Sequence, residues 1–245
     1  MIRSYRQKIV ARTKKIWKAA FTRTYIYPFD KYFYHHMSFS LEGEDSILTE
    51  FFGKQKEGFY VDVGAHHPQR FSNTYKFYLK GWRGINIDAM PESMDLFRKF
   101  RPGDINLEIA ISNSPQLLTY YMFEEPAYNS FSEELVSTRK GINLLDKKKI
   151  KTQRLSSVLE QYLPSTQKID FLSVDVEGLD YQVLLSNDWS KYRPRVVLVE
   201  DLEASIEASR KLSEIECFLQ GKGYQLFART IKNSLYKDMK DMYID

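Results

Sequence analysis

Gly58-Phe-Tyr-Val-Asp-Val-Gly-Ala-His-His67 and, a little further along, Gly84-Ile-Asn-Ile-Asp88 are the stretches that decide the fold of this chain. The first run of aromatic and β-branched residues predicts a buried parallel strand that ends in a tight turn at Gly64 and Ala65. The residues between the two runs predict a helix from Asn73 to Leu79, and the second run predicts another strand. This order of elements is half of a nucleotide-binding βαβ unit: a strand, a turn, a helix and a second strand, which ends in an acid about 20 residues beyond the turn.

The acids of this unit indicate a cationic ligand. The turn has one glycine where a dinucleotide site has Gly-x-Gly-x-x-Gly, which disfavours a pyrophosphate. Asp62 disfavours it further, because its charge repels phosphate but attracts an amino group. S-adenosylmethionine carries an ammonium, a sulfonium and a ribose diol, and the diol suits Asp88. An ordinary α/β turn with surface acids is the alternative interpretation.

The composition predicts one main α/β domain. The chain has 245 residues, of which 43% are hydrophobic and 28% charged, enough for one ample core. Its single cysteine, Cys217, excludes an internal disulfide framework, and its apolar helical neighbours predict that it is buried. There is no apolar run near 18 residues and no signal-peptide pattern, so we expect a cytoplasmic protein.

Residues 1–38 differ in character from the predicted main domain, residues 39–245. Nine Lys or Arg and one acid give residues 1–34 a net charge of +8. Since the whole chain has a net charge of +4, the remaining residues have a net charge of −4. The spacing of Ile2, Tyr5, Ile9 and Trp17 predicts a basic amphipathic helix over residues 1–21, followed by an aromatic connector. This helix packs on the domain or on a second subunit of an oligomer, or it lies on an anionic membrane such as the inner membrane surface. The acidic remainder disfavours a nucleic-acid partner.

Three more predicted strands end in polar groups. Ile105–Ile111 leads to Ser112, the run from Ile169 delivers Asp175 and Glu177, and Val196–Val199 leads to Glu200. Because the carboxyl ends of parallel strands share one edge of a sheet, we expect these groups to lie on one rim with Asp62 and Asp88. The pair Asp175 and Glu177 indicates a general base or a divalent-cation site, and helix N-capping is the alternative.

Two segments predict structure outside the parallel strands. Gln116–Phe123 is typical of an antiparallel or edge strand. The run Lys147–Lys151 predicts a solvated turn, and a basic rim that contacts an acidic glycan is the alternative. A second pair of short strands, near Tyr224–Arg229 and Asn233–Lys237, predicts a terminal β-hairpin.

Several segments together resemble the FkbM-like family of S-adenosylmethionine-dependent methyltransferases, from about Ser40 onward. The segments are Glu42-Gly-Glu-Asp-Ser-Ile-Leu48, Phe59-Tyr-Val-Asp-Val-Gly-Ala-His-His-Pro68, Phe71-Ser-Asn-Thr74, Gly81-Trp-Arg-Gly-Ile-Asn-Ile-Asp88, Ile105-Asn-Leu-Glu-Ile-Ala-Ile-Ser112, Asn129-Ser-Phe-Ser132 and Asp170-Phe-Leu-Ser-Val-Asp-Val-Glu-Gly178. The resemblance implies a Rossmann-like seven-stranded class I methyltransferase sheet with an antiparallel last strand. It also implies O-methylation, of a sugar or glycan hydroxyl or else of a polyketide. A non-catalytic membrane-associated adaptor that retains the fold is the competing hypothesis.

The resemblance also implies roles for single residues. Asp62 and Gly64 match the first cofactor motif, with Ala65 and Asn73 beside it, and Asp88 matches the ribose-binding acid. Met90 is expected next to the ribose or purine, and Ala110, Ile111 and Ser112 match the strand that meets the adenine. Asp175 and Glu177 match an Asp-x-Glu-Gly signature. His66-His67 stand where further glycines are common, which makes His66 a candidate base.

Two mechanisms remain open for removing the hydroxyl proton during methyl transfer. In the first, which we favour slightly, Asp175, Glu177 or His66 accepts the proton. In the second, a divalent metal ion held by Asp175 and Glu200 lowers the pKa of the hydroxyl.

Overall fold

The structure, a computed structural model, describes residues 37–202 and 212–240. Its helices are α1 (Glu44–Phe52), α2 (Tyr75–Leu79), α3 (Ser93–Phe100), α4 (Glu133–Thr138), α5 (Leu155–Tyr162), α6 (Asp180–Ser186) and α7 (Glu214–Gly221). Its strands are β1 (Phe59–Val63), β2 (Arg83–Asp88), β3 (Ile105–Glu108), β4 (Ala110–Ile111), β5 (Leu117–Phe123), β6 (Leu144–Gln153), β7 (Phe171–Val174), β8 (Val196–Glu200), β9 (Tyr224–Arg229) and β10 (Asn233–Asp238). The predicted basic helix over residues 1–21 lies outside the described residues.

Seven strands form one sheet in the order β3-β2-β1-β7-β8-β10-β9. The first five of these pair in parallel, and β10 runs antiparallel to both β8 and β9. The predicted α/β fold, with a seven-stranded sheet whose last strand is antiparallel, is confirmed. The chain moves from β1 outward to β2 and β3, and later from β7 outward to β8. The order therefore reverses between β1 and β7, and open α/β sheets bind ligands at such a reversal, outside the carboxyl ends of the strands.

Both faces of the sheet are covered, which explains why its central strands are mostly apolar. All five residues of β1 and all five of β8 are buried. Because successive side chains of a strand point to opposite faces, Val61 and Val63 join the core on one side and Tyr60 joins the core on the other. Strands buried on both faces are expected to be continuously hydrophobic. The two cores hold the strand ends in fixed positions.

A second, three-stranded sheet has the order β4-β6-β5 and corrects the predicted third strand. Ile105–Ile111 is not one continuous strand. It leaves the large sheet after Glu108, and Ile109 N donates to Asp88 O (2.9 Å). Ala110 and Ile111 then pair with Thr152 and Gln153 of β6. The break turns the chain from one sheet into the other beside the end of β2.

The predicted turn at Lys147–Lys151 is wrong, because these residues belong to β6. They pair with β5 in an antiparallel ribbon, which confirms the predicted strand at Gln116–Phe123. The lysines are tolerated because most of β6 is exposed. Lys149 Nζ donates to Thr119 Oγ1 (2.7 Å), and Lys147 Nζ lies 4.9 Å from the centre of the Tyr121 ring. Long side chains on this ribbon therefore pack along its surface.

The expected burial of Cys217 is also wrong. Its side chain is exposed, since the buried stripe of α7 runs through Ile215 and Leu219 on the other face of the helix. No helix in the described part of the chain combines the length and the apolar content needed to cross a membrane.

Candidate active site

A cavity of about 330 Å³ opens at the carboxyl ends of β1, β2, β7 and β8. Most of the predicted site residues line it: Asp62, Gly64, Ala65, His66, Asn73, Asp88, Met90, Ile111, Asp175, Glu177 and Glu200. Two predicted cofactor residues do not. Ala110 pairs with Thr152 in the small sheet, and Ser112 is buried, where its Oγ accepts from Gln116 Nε2 (3.3 Å).

The cavity is strongly acidic. Among the described lining residues, carboxylates outnumber Lys and Arg: Glu44, Asp62, Asp88, Glu125, Asp175, Glu177 and Glu200 against Arg70 and Lys232. A wall with this excess of negative charge attracts cationic ligands and repels polyphosphates.

Gly64 sets the contact between the ends of β1 and β7. Its φ is +85°, and a Cβ at this position would lie 1.7 Å from the carbonyl oxygen of Asp175. Only glycine fits this position, because both the backbone conformation and the close approach exclude a side chain. Gly64 N and Ala65 N both donate to Ile87 O, at 2.9 and 3.1 Å. The turn thus ties three strand ends together, and its amides are used within the protein.

Asp62 is held by a buried hydrogen-bond network. Thr74 Oγ1 donates to Asp62 Oδ2 (2.8 Å) and accepts from Arg101 Nη1 (2.9 Å). The Arg101 side chain is fully buried and donates from Nε to Asp104 Oδ2 (2.8 Å) and from Nη2 to the Tyr60 hydroxyl (2.8 Å). Burial raises the pKa of Asp62, and the positive charge of Arg101 and the Thr74 hydrogen bond oppose that rise. Arg101 therefore favours the anionic form of Asp62.

Asp88 is fixed by two backbone amides. His66 N donates to Asp88 Oδ2 (2.8 Å) and Met90 N donates to Asp88 Oδ1 (2.7 Å). Burial raises the pKa of Asp88 to about 6, and these hydrogen bonds oppose the rise. Each carboxylate oxygen can accept a further hydrogen bond. Asp88 thus presents two oriented acceptors at the cavity wall.

His66 lies on the same wall as Asp88 in an unusual conformation. Its φ is +53°, its ring stacks on that of Phe71 with centroids 6.3 Å apart, and its Nε2 is buried without a hydrogen-bond partner. Burial and, to a lesser extent, the neighbouring Arg70 charge lower the pKa of His66 to about 4. The imidazole is neutral at pH 7, and it accepts a proton less readily than an ordinary histidine.

Three carboxyl groups meet at the ends of β7 and β8. One oxygen from each of Asp175, Glu177 and Glu200 lies within 4.8 Å of the other two. Burial and the negative charges of Glu200 and Glu177 raise the pKa of Asp175 well above its ordinary value. Burial also raises the pKa of Glu177, and burial with the charges of Glu177 and Asp180 raises the pKa of Glu200 to about 8. Because the three carboxyl groups lie this close together, the ionisation of one disfavours the ionisation of the others.

Two cations partly balance this cluster. Arg139 Nη2 lies 2.6 Å from Glu177 Oε2, and Lys232 Nζ lies 3.9 Å from Glu200 Oε1. Three carboxylates are the type of ligand that Mg²⁺ and Ca²⁺ take, and Glu200 Oε2 is buried without a hydrogen-bond partner. The donor set therefore fits a divalent cation, although Arg139 and Lys232 compete for two of the three groups.

The turn that carries Glu177 is shaped by residues the sequence did not single out. Asp180 Oδ1 accepts from Val176 N (2.9 Å), and Asp180 Oδ2 accepts from Gly178 N (3.1 Å). Ser130 Oγ donates to Glu177 O (2.6 Å), and Glu177 has a φ of +53°. An acid at the first position of a helix, three residues after another acid, is the signal that would have indicated Asp180.

Other lining residues come from segments far away in sequence. Tyr120 on β5, Asn129 and Phe131 in the following loop, and Glu44 at the start of α1 all line the cavity, as do Lys232 and Asn233 at the β9–β10 turn. Asn129 and Phe131 lie in a segment that carries the family resemblance. Glu44 also lies in such a segment, whereas the contributions of Lys232 and Asn233 depend on tertiary pairing, so no sequence signal indicated them.

Comparison with known proteins gives the following matches. The family model described as the methyltransferase FkbM domain matches residues 62–226, more than half of the chain. No curated protein matches the sequence. Among solved structures, a TehB-like SAM-dependent methyltransferase from Corynebacterium glutamicum ATCC 13032 Kitasato is similar at 9% identity with a TM-score of 0.39. That match covers 81% of this chain and 89% of the other, and a likeness this weak adds nothing to the interpretation of the cavity.

Proposed function

We propose a reaction for this chain on the premise that it belongs to the methyltransferase FkbM domain family. The chain is therefore an S-adenosylmethionine-dependent methyltransferase. We propose further that its acceptor is a hydroxyl group of a sugar or glycan. The observation that carries this second step is the cluster of Asp175, Glu177 and Glu200, whose raised pKa values make them stronger bases than ordinary carboxylates.

We propose that the cofactor binds to the wall formed by the ends of β1, β2 and β4, which we call the cofactor wall. Asp62 attracts the ammonium of the cofactor, and Asp88 accepts hydrogen bonds from the two ribose hydroxyls. Met90 and Ile111 provide apolar contacts for the purine. These assignments are supported by the position of all four residues on one cavity and by the acidic excess of its lining.

Bound S-adenosylmethionine supplies an electrophilic methyl group. The ends of β7 and β8 form the adjoining wall, which we propose receives the acceptor and which we call the acceptor wall. There Asp175 or Glu177 accepts the hydroxyl proton as the new carbon–oxygen bond forms, and S-adenosylhomocysteine leaves as the neutral thioether. Positioning of the two reactants provides most of the acceleration, and proton removal contributes roughly 10²–10⁴-fold. In the second open mechanism, Asp175 and Glu200 would hold a divalent cation, which would lower the pKa of the acceptor hydroxyl.

The deciding experiment incubates the full chain with S-[methyl-¹³C]adenosylmethionine and a pool of polysaccharides and oligosaccharides, followed by mass spectrometry. Labelled O-methyl sugars that are absent with Asp175→Asn would support the proposal. Label that appears only on nitrogen, or only on a polyketide hydroxyl in a parallel pool, would contradict the sugar assignment. The same reaction after exhaustive chelation separates the mechanisms, because full activity would eliminate the metal ion.

We also propose that residues 1–21 bind anionic membrane surfaces. The proposal is supported by the concentration of positive charge in residues 1–34. The test is co-sedimentation of the full chain with vesicles that contain about 30% phosphatidylserine and with neutral vesicles. A variant that lacks residues 1–21 is measured in parallel, and equal binding by this variant would contradict the proposal.

A further inference from the structure

Two buried oxygen atoms at the acceptor wall have no part in the proton transfer described above. Glu200 Oε2 and Asn233 Oδ1 lack a hydrogen-bond partner, and their residues are only 5% and 6% exposed. Both residues line the cavity. A buried polar atom without a partner costs stability, so two at one wall indicate that a ligand completes them.

The sheet places these two oxygens side by side. Glu200 ends β8 and Asn233 begins β10, and the two are direct partners in the antiparallel pairing. Directly opposite residues of such a pair point to the same face, with Cβ atoms about 4.5–5.5 Å apart. One small ligand can therefore contact both side chains.

The hydrogen bonds of Asn233 fix which end of its amide faces the cavity. Asn233 Nδ2 donates to Glu44 Oε1 (2.7 Å). Because a carboxylate oxygen accepts and does not donate, the amide nitrogen must face Glu44 and the amide oxygen is left free. Asn233 N also donates to Thr230 Oγ1 (3.0 Å), which holds the residue in place. The free group is thus an acceptor that needs a donor from the ligand.

We propose that Glu200 and Asn233 form an anchoring subsite for a second hydroxyl of the acceptor, next to the hydroxyl that is methylated. The proposal rests on the proposed function and narrows it to acceptors with neighbouring hydroxyls, as in a pyranose ring. A hydroxyl donates a hydrogen bond, so it can complete the free oxygen of Asn233 or of Glu200. An ammonium group also donates, so the test includes a cationic probe.

The test uses the full chain saturated with S-adenosylhomocysteine and ligand-observed NMR titrations of fixed probes. The probes are the methyl α-pyranosides of mannose, galactose and rhamnose, with cyclohexanol as a single-hydroxyl comparator and cyclohexylamine as a cationic one. We expect at least one pyranoside to bind about tenfold more tightly than either comparator. Asn233→Ala and Glu200→Met should each weaken that binding by about fivefold to tenfold, as expected for one lost hydrogen bond.

Asn143→Ala is the matched control. The amide nitrogen of Asn143 also donates to a glutamate, Glu124 Oε2 (3.2 Å), but Asn143 does not line the cavity, so pyranoside affinity should be unchanged in this variant. Glu200→Met keeps the approximate length of the side chain and serves if Asn233→Ala fails to fold. The proposal is overturned if no pyranoside is preferred over cyclohexanol, if cyclohexylamine binds best, or if both variants bind pyranosides as wild type does. Calorimetry of S-adenosylhomocysteine binding to wild type shows which proposal fails. If wild type binds S-adenosylhomocysteine, the methyltransferase assignment stands even when no pyranoside is preferred. If wild type does not bind it, both the methyltransferase assignment and the subsite are contradicted.

Discussion

At the scale of single residues, Asp62 shows how a buried cation controls the charge of a cavity wall. Arg101 reaches Asp62 through one threonine hydroxyl, and the same guanidinium is paired with Asp104. Buried charges are tolerated when they are paired and fully hydrogen-bonded, as these are. The network therefore acts as an electrostatic support for the cofactor wall, although Arg101 does not itself line the cavity.

The double substitution Arg101→Met with Asp104→Asn tests this support while keeping the buried charge balanced. Without the positive neighbour, the pKa of Asp62 should rise further, so that its anionic form is less populated and cofactor affinity falls about tenfold or more. Affinity should recover as the pH is raised, because Asp62 ionises again. Calorimetry between pH 6 and 9 measures the profile. Arg98→Met, an exposed cation of α3, is the control, and a profile in the double variant that matches wild type would contradict the argument.

Asp88 and Asp175 should separate cofactor binding from turnover. Asp88→Ala removes two oriented acceptors, so S-adenosylmethionine affinity should fall at least about a hundredfold. Asp175→Asn keeps the shape of the acceptor wall but removes a base, so affinity should stay within about threefold while turnover falls roughly 10²–10⁴-fold. Calorimetry and a methyl-transfer assay on the same preparations measure both. Unchanged cofactor affinity in Asp88→Ala would refute its assignment to the ribose.

At the scale of elements, the close contact between the ends of β1 and β7 depends on the absence of one side chain. Gly64→Ala would place a Cβ 1.7 Å from Asp175 O, so the strands must shift. We expect a loss of about 3 kcal/mol or more in the free energy of unfolding, along with loss of activity. Gly81→Ala is the matched control, since Gly81 also has a positive φ (+99°) but its Cβ would meet no atom within 4 Å. The free energy of unfolding of Gly81→Ala should fall by about 1–2 kcal/mol relative to wild type. Equal losses in urea unfolding would show that backbone strain, rather than the contact, matters at Gly64.

Elements with a strong local pattern could be predicted from the sequence, and elements defined by distant partners could not. β1, β7 and β8 are short, mostly apolar runs, the run that predicts β2 is bounded by Gly84 and Asp88, and the hairpin of β9 and β10 has clear strand and turn residues. The end of β3 and the lysine-rich part of β6 have no such pattern, because their structure comes from pairing between Ala110 and Thr152 and between β5 and β6.

The same distinction applies to the cavity. Acids at the ends of parallel strands converge for topological reasons, so Asp62, Asp88, Asp175 and Glu200 were expected on one rim. Asn233 and Glu44 meet across 189 positions of sequence, and no local pattern records that contact.

At the scale of the whole molecule, the buried acids should make stability depend on pH in an uncommon direction. Burial, with nearby negative charges, raises the pKa values of Asp88, Asp180 and Glu200 to about 6, 7 and 8. Between the ordinary and the raised pKa values, the folded state binds more protons than the unfolded state. The free energy of unfolding therefore decreases as the pH rises from about 5 to about 8.

Glu200→Gln removes the largest of these three shifts. The variant should lose less stability than wild type between pH 5 and pH 8, and at pH 8 it should be the more stable by roughly 1–3 kcal/mol. Urea unfolding of the ligand-free protein at both pH values measures the effect. Glu57→Gln, an exposed acid, should behave as wild type. A wild-type stability that rises with pH over this interval would contradict the assignment of buried, partly protonated acids.

The position of β10 between β8 and β9 has a consequence for biosynthesis. β10 is made after both of its neighbours, so β8 has no partner on that side while residues 233–238 are still inside the ribosome. Glu200 meets Asn233 only when the hairpin has emerged. A stalled translation product that ends before residue 233 would therefore lack the Asn233 side of the cavity and would leave the edge of β8 without its antiparallel partner.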